Sequence, residues 1–445
     1  MRFVTTRGRA PAASLKTAIV EGLAPDGGLY MPESIERWDA GELARLSSRS
    51  LVELAARVLQ PFTHDDLDAR RLTAAVQDAL DFPIPLVEIE PNVHALELFH
   101  GPTLAFKDVG ARVMARVMAA LDVDSTVLVA TSGDTGSAVA HAFHGVARTR
   151  VVILYPDRRV SPTQEAQLTL FNGEGERNVC AYAIAGSFDD CQRLVKAAFA
   201  DAELRRRVRL TSANSINIGR LLPQMIYYFH AVAELGRTGS GPASITVSTP
   251  SGNFGNLTAG LMAKRAGLPI ARFVASTNVN DIVPHYLATG AFEPRASTPT
   301  LANAMDVGNP SNFDRMSWMY DGDVDAMRRD VAGSRHDDEE VRATIRRVYH
   351  ERGYLLDPHS AIGYLGLKRR EGQDGREGLE GQAGQVGIFL ATAHPAKFAE
   401  IVEPIIGRAI ERPAPLAAAL SRSRQIVRMP ATLEALRDTL VAGGG

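Results

Sequence analysis

Cysteine is scarce in this chain of 445 residues, and no segment shows the spacing of a metal site. Cys180 and Cys191 are the only cysteines, which is typical of a protein in a reducing compartment. No apolar run is long enough to cross a membrane, and no apolar segment near the start is typical of a signal peptide. The sequence therefore predicts a cytoplasmic protein with no membrane partner and no bound metal.

A basic excess is missing as well. Lysine and arginine number 49 against 51 aspartate and glutamate residues, and the formal net charge is -2. Because a nucleic-acid binder needs positive charge to meet phosphates, we expect no nucleic-acid partner. The length and the hydrophobic content of 45% are ordinary for a globular protein of two or three domains. They do not determine the oligomeric state, for which a monomer or a homodimer is expected.

One lysine stands in unusually apolar surroundings. Lys107 follows the apolar residues 104–106, and Pro102 favours a helix start that continues over residues 109–121. Desolvation and the positive end of a helix dipole both favour the neutral amine, which is the form that reacts with an aldehyde. The alternative is a solvated lysine on the first turn of a surface helix.

Two glycine-rich loops, 132–136 and 251–256, each follow an apolar run and precede a helical pattern. Glycines let the backbone approach an anion, and the free N–H groups at a helix start bind it. The predicted elements are strand 126–130, helix 138–143 and strand 151–155 around the first loop, and strand 245–248, helix 257–266 and strand 272–274 around the second. Each set is a βαβ unit, which indicates an α/β fold with parallel sheets flanked by helices.

The loops alone are also compatible with simple tight turns. Neither has the Gly-Lys-Ser/Thr ending of a nucleotide P-loop, and neither is a full Gly-x-Gly-x-x-Gly turn, which argues against a dinucleotide enzyme. Combined with Lys107, however, they suit an aldehyde that carries a phosphate. The residues therefore predict pyridoxal 5'-phosphate as the cofactor.

The predicted organisation has three parts. Residues 1–95 carry helical patterns at 15–22, 50–60 and 69–80 and predict a mainly helical N-terminal domain. A smaller α/β domain over 96–230 would carry the lysine and the first loop, and a larger one over 231–445 the second loop. Glycines at every third position from 372 to 384 predict a surface loop before a strand at 386–390.

Several motifs in one order give this chain a family resemblance. It resembles the threonine synthases, which are pyridoxal-phosphate enzymes of fold type II, similar to the tryptophan synthase beta subunit. The matching segments cover nearly the whole chain and are residues 22–30, 100–108, 131–136, 214–220, 251–256, 303–307, 357–359 and 392–398. The glycine-rich stretch at 372–384 is not part of the pattern.

The resemblance implies a role for each matched position. Lys107 would be the catalytic residue and would bond covalently to the cofactor, and Thr392 would give its hydroxyl to the pyridine nitrogen. The backbone of Gly252, Asn253, Phe254, Gly255 and Asn256 would hold the cofactor phosphate. Ser132, Gly133, Asp134 and Thr135 would bind the substrate carboxylate, with the Asp134 side chain pointing away to cap its own loop.

The resemblance also implies the reaction, in which O-phospho-L-homoserine and water give L-threonine and phosphate. Ser215, Asn217 and Arg220 are the candidates for binding the leaving phosphate, although they also suit the capping of the next helix. Arg158 and Arg159 are a weaker candidate pair, because adjacent arginines after a strand are typical of a solvated turn. Two other functions stay open: a related dehydratase or phospho-lyase that ends at a 2-oxo acid, and a silent relative that only binds.

Overall fold

The computed structural model describes residues 1–131, 133–173, 178–237, 244–368 and 385–442. The predicted surface loop at 372–384 lies outside these residues. In the described part of the chain, no helix is long and apolar enough to cross a membrane.

Strands and helices alternate along most of the described chain. The strands are β1 Phe3–Thr5, β2 Tyr30–Pro32, β3 Leu86–Glu90, β4 Val93–Glu97, β5 Ser125–Ala130, β6 Thr149–Pro156, β7 Val179–Ile184, β8 Leu210–Thr211, β9 Ser244–Pro250, β10 Ile270–Thr277, β11 Val331–Arg335, β12 Gln385–Ala391 and β13 Val427–Met429.

The α-helices are α1 Leu15–Glu21, α2 Ala40–Ala44, α3 Leu51–Thr63, α4 Ala69–Ala79, α5 Lys107–Ala120, α6 Asp134–Phe143, α7 Pro162–Leu168, α8 Phe188–Ala200, α9 Ala202–Arg207, α10 Ile218–Leu221, α11 Met225–Arg237, α12 Gly255–Arg265, α13 Ile282–Thr289, α14 Phe313–Met319, α15 Val324–Asp330, α16 Asp338–Arg352, α17 Pro358–Lys368, α18 Ala399–Ile406, α19 Ala414–Ser421 and α20 Leu433–Ala442. Short 3-10 turns lie at Leu46–Ser48, Leu222–Gln224, Asn303–Met305 and Pro395–Phe398.

Two sheets form the α/β part of the molecule. The larger sheet has the strand order β11-β10-β9-β12-β4-β3 and is parallel except for the β3–β4 pair. The smaller sheet, β13-β7-β6-β5-β8, is parallel throughout. Both βαβ units predicted from the sequence are confirmed, since β5 pairs with β6 and β9 with β10 in parallel. Such strands are buried on both faces, which explains their continuous apolar runs.

The N-terminal region is mainly helical, as its sequence predicts. Side chains cap the starts of its helices. At α3, the Ser50 hydroxyl accepts the Glu53 N–H, and the Glu53 carboxylate accepts the Ser50 N–H. Asp68 caps α4 in the same way through the Arg71 N–H. Each such cap stabilises a helix by about 1 kcal/mol, because it satisfies a donor that the helix itself leaves without a partner.

Strands that are distant in sequence share a sheet. β4 pairs with β12, although about three hundred residues separate them in the order of the chain, and β13 from the C-terminal part pairs with β7. The two sheets do not follow the predicted domain boundaries. Those boundaries therefore remain a proposal, with the ranges 1–95, 96–230 and 231–445. β3 and β4 lie at the first boundary and belong to the sheet of the third range.

The topology brings three chain segments to one sheet edge. β9, β12 and β4 are parallel neighbours, so their carboxyl ends meet at the same edge. β9 leads into the glycine-rich loop at 251–256, β12 into Thr392, and β4 into the segment that ends at Lys107. In open α/β sheets, ligands bind at the carboxyl ends of the strands, where the connections leave the sheet in opposite directions.

We expect Gly366→Ala in α17 to lower the thermal and urea midpoints. Glycine to alanine in a helix normally stabilises by about 0.5–1 kcal/mol, but a Cβ at Gly366 would overlap the hydroxyls of Ser276 and Ser248 on the sheet. The expected cost is about 1–3 kcal/mol of overpacking. Adding Ser276→Ala is the control and should recover part of the loss, whereas a raised midpoint in the single variant would contradict this packing.

Candidate active site

Lys107 is the first residue of α5 and is largely buried, with 15% of its side chain exposed. Burial is the main cause that lowers its pKa, and the positive charges of Lys397 and Arg220 lower it further, while the Asp134 carboxylate acts in the opposite direction. The position at a helix start and the apolar setting both agree with the sequence analysis. A lowered pKa increases the fraction of the neutral amine, which is the form that reacts with an aldehyde.

Asp134 lies between two lysines. Its carboxylate is 3.6 Å from the Lys107 ammonium nitrogen on one side and 2.8 Å from that of Lys397 on the other. Although burial by itself raises the pKa of Asp134, the charges of Lys397 and Lys107 outweigh burial and hold that pKa well below its usual range. The prediction that Asp134 points away to cap its own loop or helix is wrong, because α6 has no side-chain cap and the Asp134 carboxylate lies against the two lysines.

The loop at 251–256 has the geometry of an anion site. The Asn256 side chain holds it together by accepting from the Ser251 hydroxyl at 2.6 Å and the Leu257 N–H at 3.0 Å, and by donating to the Pro250 carbonyl at 2.9 Å. No described residue accepts a hydrogen bond from the backbone N–H groups of residues 252–256. These donors lie at the N-terminus of α12, where the helix dipole also attracts an anion.

Glycine is required at one position of this loop, and a strained residue follows it. A Cβ at Gly252 would lie 2.8 Å from the Met305 Cα and 3.0 Å from the Ala304 carbonyl oxygen. Phe254 adopts a left-handed conformation, with φ 59° and ψ 18°, directly before α12. Strain of this kind is concentrated at ligand sites.

The first loop has a similar but smaller set of donors. Gly133, with φ 151°, precedes α6, and the Thr131 hydroxyl accepts from the N–H groups of Gly133 and Gly136. In the described ranges, the N–H groups of Asp134 and Thr135 find no acceptor. Ser132, also predicted to bind the substrate carboxylate, lies outside the described residues.

Thr392 is placed beside the lysine segment by backbone pairing. Its carbonyl accepts the Phe106 N–H at 2.9 Å, and Ala393 forms a bridge with Ala105. Thr392 is buried, and the structure records no described partner for its hydroxyl. The predicted partner of the pyridine nitrogen thus lies next to the predicted attachment point.

Asn217 and Arg220 differ in their freedom to bind an anion. The Asn217 carboxamide caps α10 by accepting the Gly219 N–H, and its two amide hydrogens go to the carbonyls of Ile19 and Ser212. Asn217 has therefore no donor left, and its helix-capping alternative is the role seen. Arg220 donates to the Ala213 carbonyl at 2.6 Å, whereas its buried Nε has no described partner. Burial lowers the pKa of Arg220 to about 10, so the guanidinium remains charged at neutral pH.

Ser215 lies near the phosphate-loop candidate. A Cβ built on Gly255 would be 3.8 Å from the Ser215 Cβ and 3.7 Å from the Gln224 amide nitrogen. Gln224 in turn donates to the Arg220 carbonyl at 3.0 Å. The segment with Ser215 and Arg220 therefore connects the 251–256 loop to the rest of the site.

Two buried cations were assigned no role from the sequence. Lys397 lies in the 3-10 turn Pro395–Phe398. Its apolar neighbours in the sequence were the one local feature that could have predicted its burial. Arg315, with none of its side chain exposed, donates to the carbonyls of Tyr30, Ser215 and Ile216. Burial lowers the pKa of Arg315 to about 9. It joins the N-terminal region to the segment with Ser215, a long-range contact that no local pattern marks.

The weaker candidates take structural roles. Asp306 fixes its own loop by accepting from the Thr300 N–H and from the Asn278 amide. His394 accepts the Ala396 N–H on Nδ1, and burial lowers its pKa to about 4. Arg158 and Arg159 lie exposed in a turn after β6. For Arg158 and Arg159, this agrees with the solvated turn expected from the sequence.

The residues present fit pyridoxal 5'-phosphate. A buried amine with a lowered pKa would bond to its aldehyde, and the unpaired N–H groups of residues 252–256 would hold its phosphate.

Comparisons with known proteins give the same answer. Residues 82–380 match the family model described as pyridoxal-phosphate dependent enzyme. Residues 2–80 match threonine synthase N terminus, and residues 361–440 match threonine synthase, C-terminal. The chain belongs to the threonine synthase family.

Relatives in this family cover the whole chain. The threonine synthase of Serratia marcescens is 42% identical over 99% of each chain, and that of Haemophilus influenzae is 47% identical over 89% of each. The threonine synthase structure from Escherichia coli is 41% identical, has a TM-score of 0.89 and covers 99% of this chain and 100% of that chain. The pyridoxal-phosphate-bound threonine synthase from Brucella melitensis is 37% identical, with a TM-score of 0.91 and 99% coverage of both chains.

More distant structures share only the fold. A threonine deaminase from Solanum lycopersicum matches with a TM-score of 0.55 and 14% identity over 85% of this chain. The chain is thus a pyridoxal-phosphate-dependent threonine synthase-family enzyme of fold type II, as the motifs predicted.

We expect Asn256→Ala to weaken cofactor binding by tenfold or more, because the variant removes the hydrogen bonds that shape the 251–256 loop. The loss of even one buried bond costs about 1–3 kcal/mol. Titration of cofactor-free protein with pyridoxal 5'-phosphate measures the change. Asn309→Ala is the matched control: Asn309 is an exposed asparagine outside the 251–256 loop, and the dissociation constant of this variant should stay near that of the wild type. Equal effects would contradict the role assigned to Asn256.

Proposed function

We propose that this protein converts O-phospho-L-homoserine and water to L-threonine and phosphate. The observation that carries the proposal is the buried Lys107 with its lowered pKa, set beside two loops with unpaired N–H groups. Family membership supports the reaction, and the matched threonine synthase N-terminal and C-terminal regions favour it over a simpler dehydratase. The bound cofactor would supply an electron sink for negative charge that develops on the substrate carbons.

Lys107 would act both as the attachment point and as the base. With the substrate bound, the Lys107 amine would lie free beside the substrate. It would then accept the proton from Cα and move protons at the neighbouring carbons. A single amine of lowered pKa is suited to both directions of transfer.

The two anionic ends of the substrate would bind at separate sites. The N–H groups of Asp134 and Thr135 at the start of α6 would bind the carboxylate, together with Ser132 and Gly133. Arg220, whose Nε has no described partner, would bind the γ-phosphate as it leaves, with Ser215 beside it. The hydroxyl of Thr392 would hold the pyridine nitrogen without adding a charge.

The proposal also covers the location of the protein and its partners. We expect a cytoplasmic enzyme that acts on a small molecule, with no nucleic-acid or membrane partner, as a monomer or a homodimer. The near-neutral net charge of -2 and two free cysteines support it.

Product analysis tests the reaction directly. Incubation with pyridoxal 5'-phosphate and O-phospho-L-homoserine should release threonine and phosphate in equal amounts. Lys107→Ala should lose at least about a thousandfold in rate, because general base catalysis and covalent attachment are both removed. The exposed Lys196→Ala should keep wild-type activity. Phosphate accompanied by 2-oxobutyrate would assign the protein to the phospho-lyases, and no phosphate at all would refute the substrate.

Product inhibition tests the phosphate site. We expect Arg220→Lys and Arg220→Met to raise the inhibition constant of inorganic phosphate, the latter by about tenfold or more, since hydrogen bonds to charged groups contribute about 1.5–3 kcal/mol. Arg158→Met, in the exposed turn, is the control and should leave the constant unchanged. A phosphate constant that responds to Arg158 and not to Arg220 would transfer the site to the turn after β6.

A further inference from the structure

Lys397 is a lysine without contact to solvent. None of its side chain is exposed, and its Nζ lies 2.8 Å from the Asp134 Oδ1. The same Nζ donates to the Thr103 carbonyl at 2.9 Å. Lys397 reaches this position from the 3-10 turn that follows Thr392, so a separate segment of the chain supplies it.

The buried site carries more positive than negative charge. The Asp134 carboxylate faces two lysines, and Arg220 adds a third cation close enough to act on Lys107. The second buried carboxyl group, Asp108, acts on Lys397 and Arg220, and burial raises its pKa, which favours its neutral form. Uncompensated charge in a buried site is costly, and a group in this position gives up its charge instead. Lys397 has the closer carboxylate and a carbonyl, whereas Lys107 has one contact at 3.6 Å.

The two lysines lie at different distances from the Asp134 carboxylate, and this difference gives them different roles. Coulomb attraction falls with distance, so the Asp134 charge is directed mainly to Lys397. With Lys397 absent, Lys107 would be the remaining lysine partner of Asp134 and would be held as the ammonium ion. An ammonium ion has no lone pair with which to attack an aldehyde.

We propose that Lys397 is a positioning residue that occupies the Asp134 carboxylate and so leaves the Lys107 amine neutral and free to react. This inference rests on the proposed role of Lys107 as the attachment point. It assigns to Lys397 and Asp134 a function beyond stabilising the fold, because the ion pair determines at which pH the amine is reactive.

Other charged groups face this pair and bear on any pH profile. The groups that act on Lys107 come from three elements: Asp134 on α6, Arg220 on α10 and Lys397 on the 3-10 turn. Asp134 is also acted on by His359 on α17. Asp108, next to Lys107, accepts hydrogen bonds from the Thr103 N–H and hydroxyl, and burial raises its pKa. Lys397 also acts on Asp108. The variants replace Lys397 alone or Lys397 together with Asp134, and they keep Arg220, His359 and Asp108.

The test measures the rate at which full-length, cofactor-free protein attaches pyridoxal 5'-phosphate to Lys107, with loss of water, between about pH 6 and pH 10. Absorbance follows the bond, and borohydride reduction with peptide mass analysis locates it at Lys107. Lys397→Met should move the midpoint of the profile upward by about one pH unit and slow attachment near neutral pH by about tenfold. Lys397→Arg, which keeps the charge, should stay near the wild-type midpoint.

A double variant separates this role from a structural one. Lys397→Met with Asp134→Asn removes both members of the pair, so nothing is left to hold Lys107 as an ammonium ion, and the midpoint should not rise. If Lys397→Met fails to fold, Lys397→Gln keeps a donor for the Thr103 carbonyl and carries the same expectation.

The outcomes separate the two proposals. An unchanged midpoint in the neutral Lys397 variants, or the same rise in the double variant, would overturn the inference while leaving the role of Lys107 intact. No attachment to Lys107 in the wild-type protein at any pH would overturn the proposed function, and the inference with it.

Discussion

The contact of the Asp134 carboxylate with two buried lysines is the interaction on which the geometry of the site depends. It joins α5 and α6, which begin at different sheets, to the 3-10 turn that carries Lys397. Because the contact is buried, its charges act strongly on one another and are poorly screened by salt. Of the two lysines, Lys397 at 2.8 Å is the closer partner of this carboxylate, and Lys107 lies at 3.6 Å.

Parallel strand order explains how such distant residues meet. The carboxyl ends of β9, β12 and β4 lie side by side, and each delivers one functional segment to the same edge. The smaller sheet contributes the loop after β5 in the same manner. The loops provide N–H groups without described acceptors and the strands provide rigidity, so the proposed anion sites would be preorganised before a ligand binds.

Much of this arrangement follows from local sequence. The apolar runs predict β5, β6, β9, β10 and β12 because a strand buried on both faces must be apolar along its length. The glycine-rich loops and the position of Lys107 at a helix start are local as well. The direction of Asp134 could not be predicted in this way, because its partner Lys397 lies more than two hundred residues further along the chain.

The sequence by itself determined many of the elements, the two glycine-rich loops, the position of Lys107 at a helix start and, through its motifs, the threonine synthase family. Only the tertiary structure decided that Asp134 faces the two lysines. It also decided that the amide hydrogens of Asn217 are bonded to backbone carbonyls, whereas Arg220 Nε has no described partner. The contact of Arg315 with the carbonyls of Tyr30 and Ser215 is likewise a result of the fold. The physical reason is one of range. Propensity and periodicity act over a few residues, whereas the charge state and the hydrogen-bond partners of a buried group depend on whatever the fold places beside it.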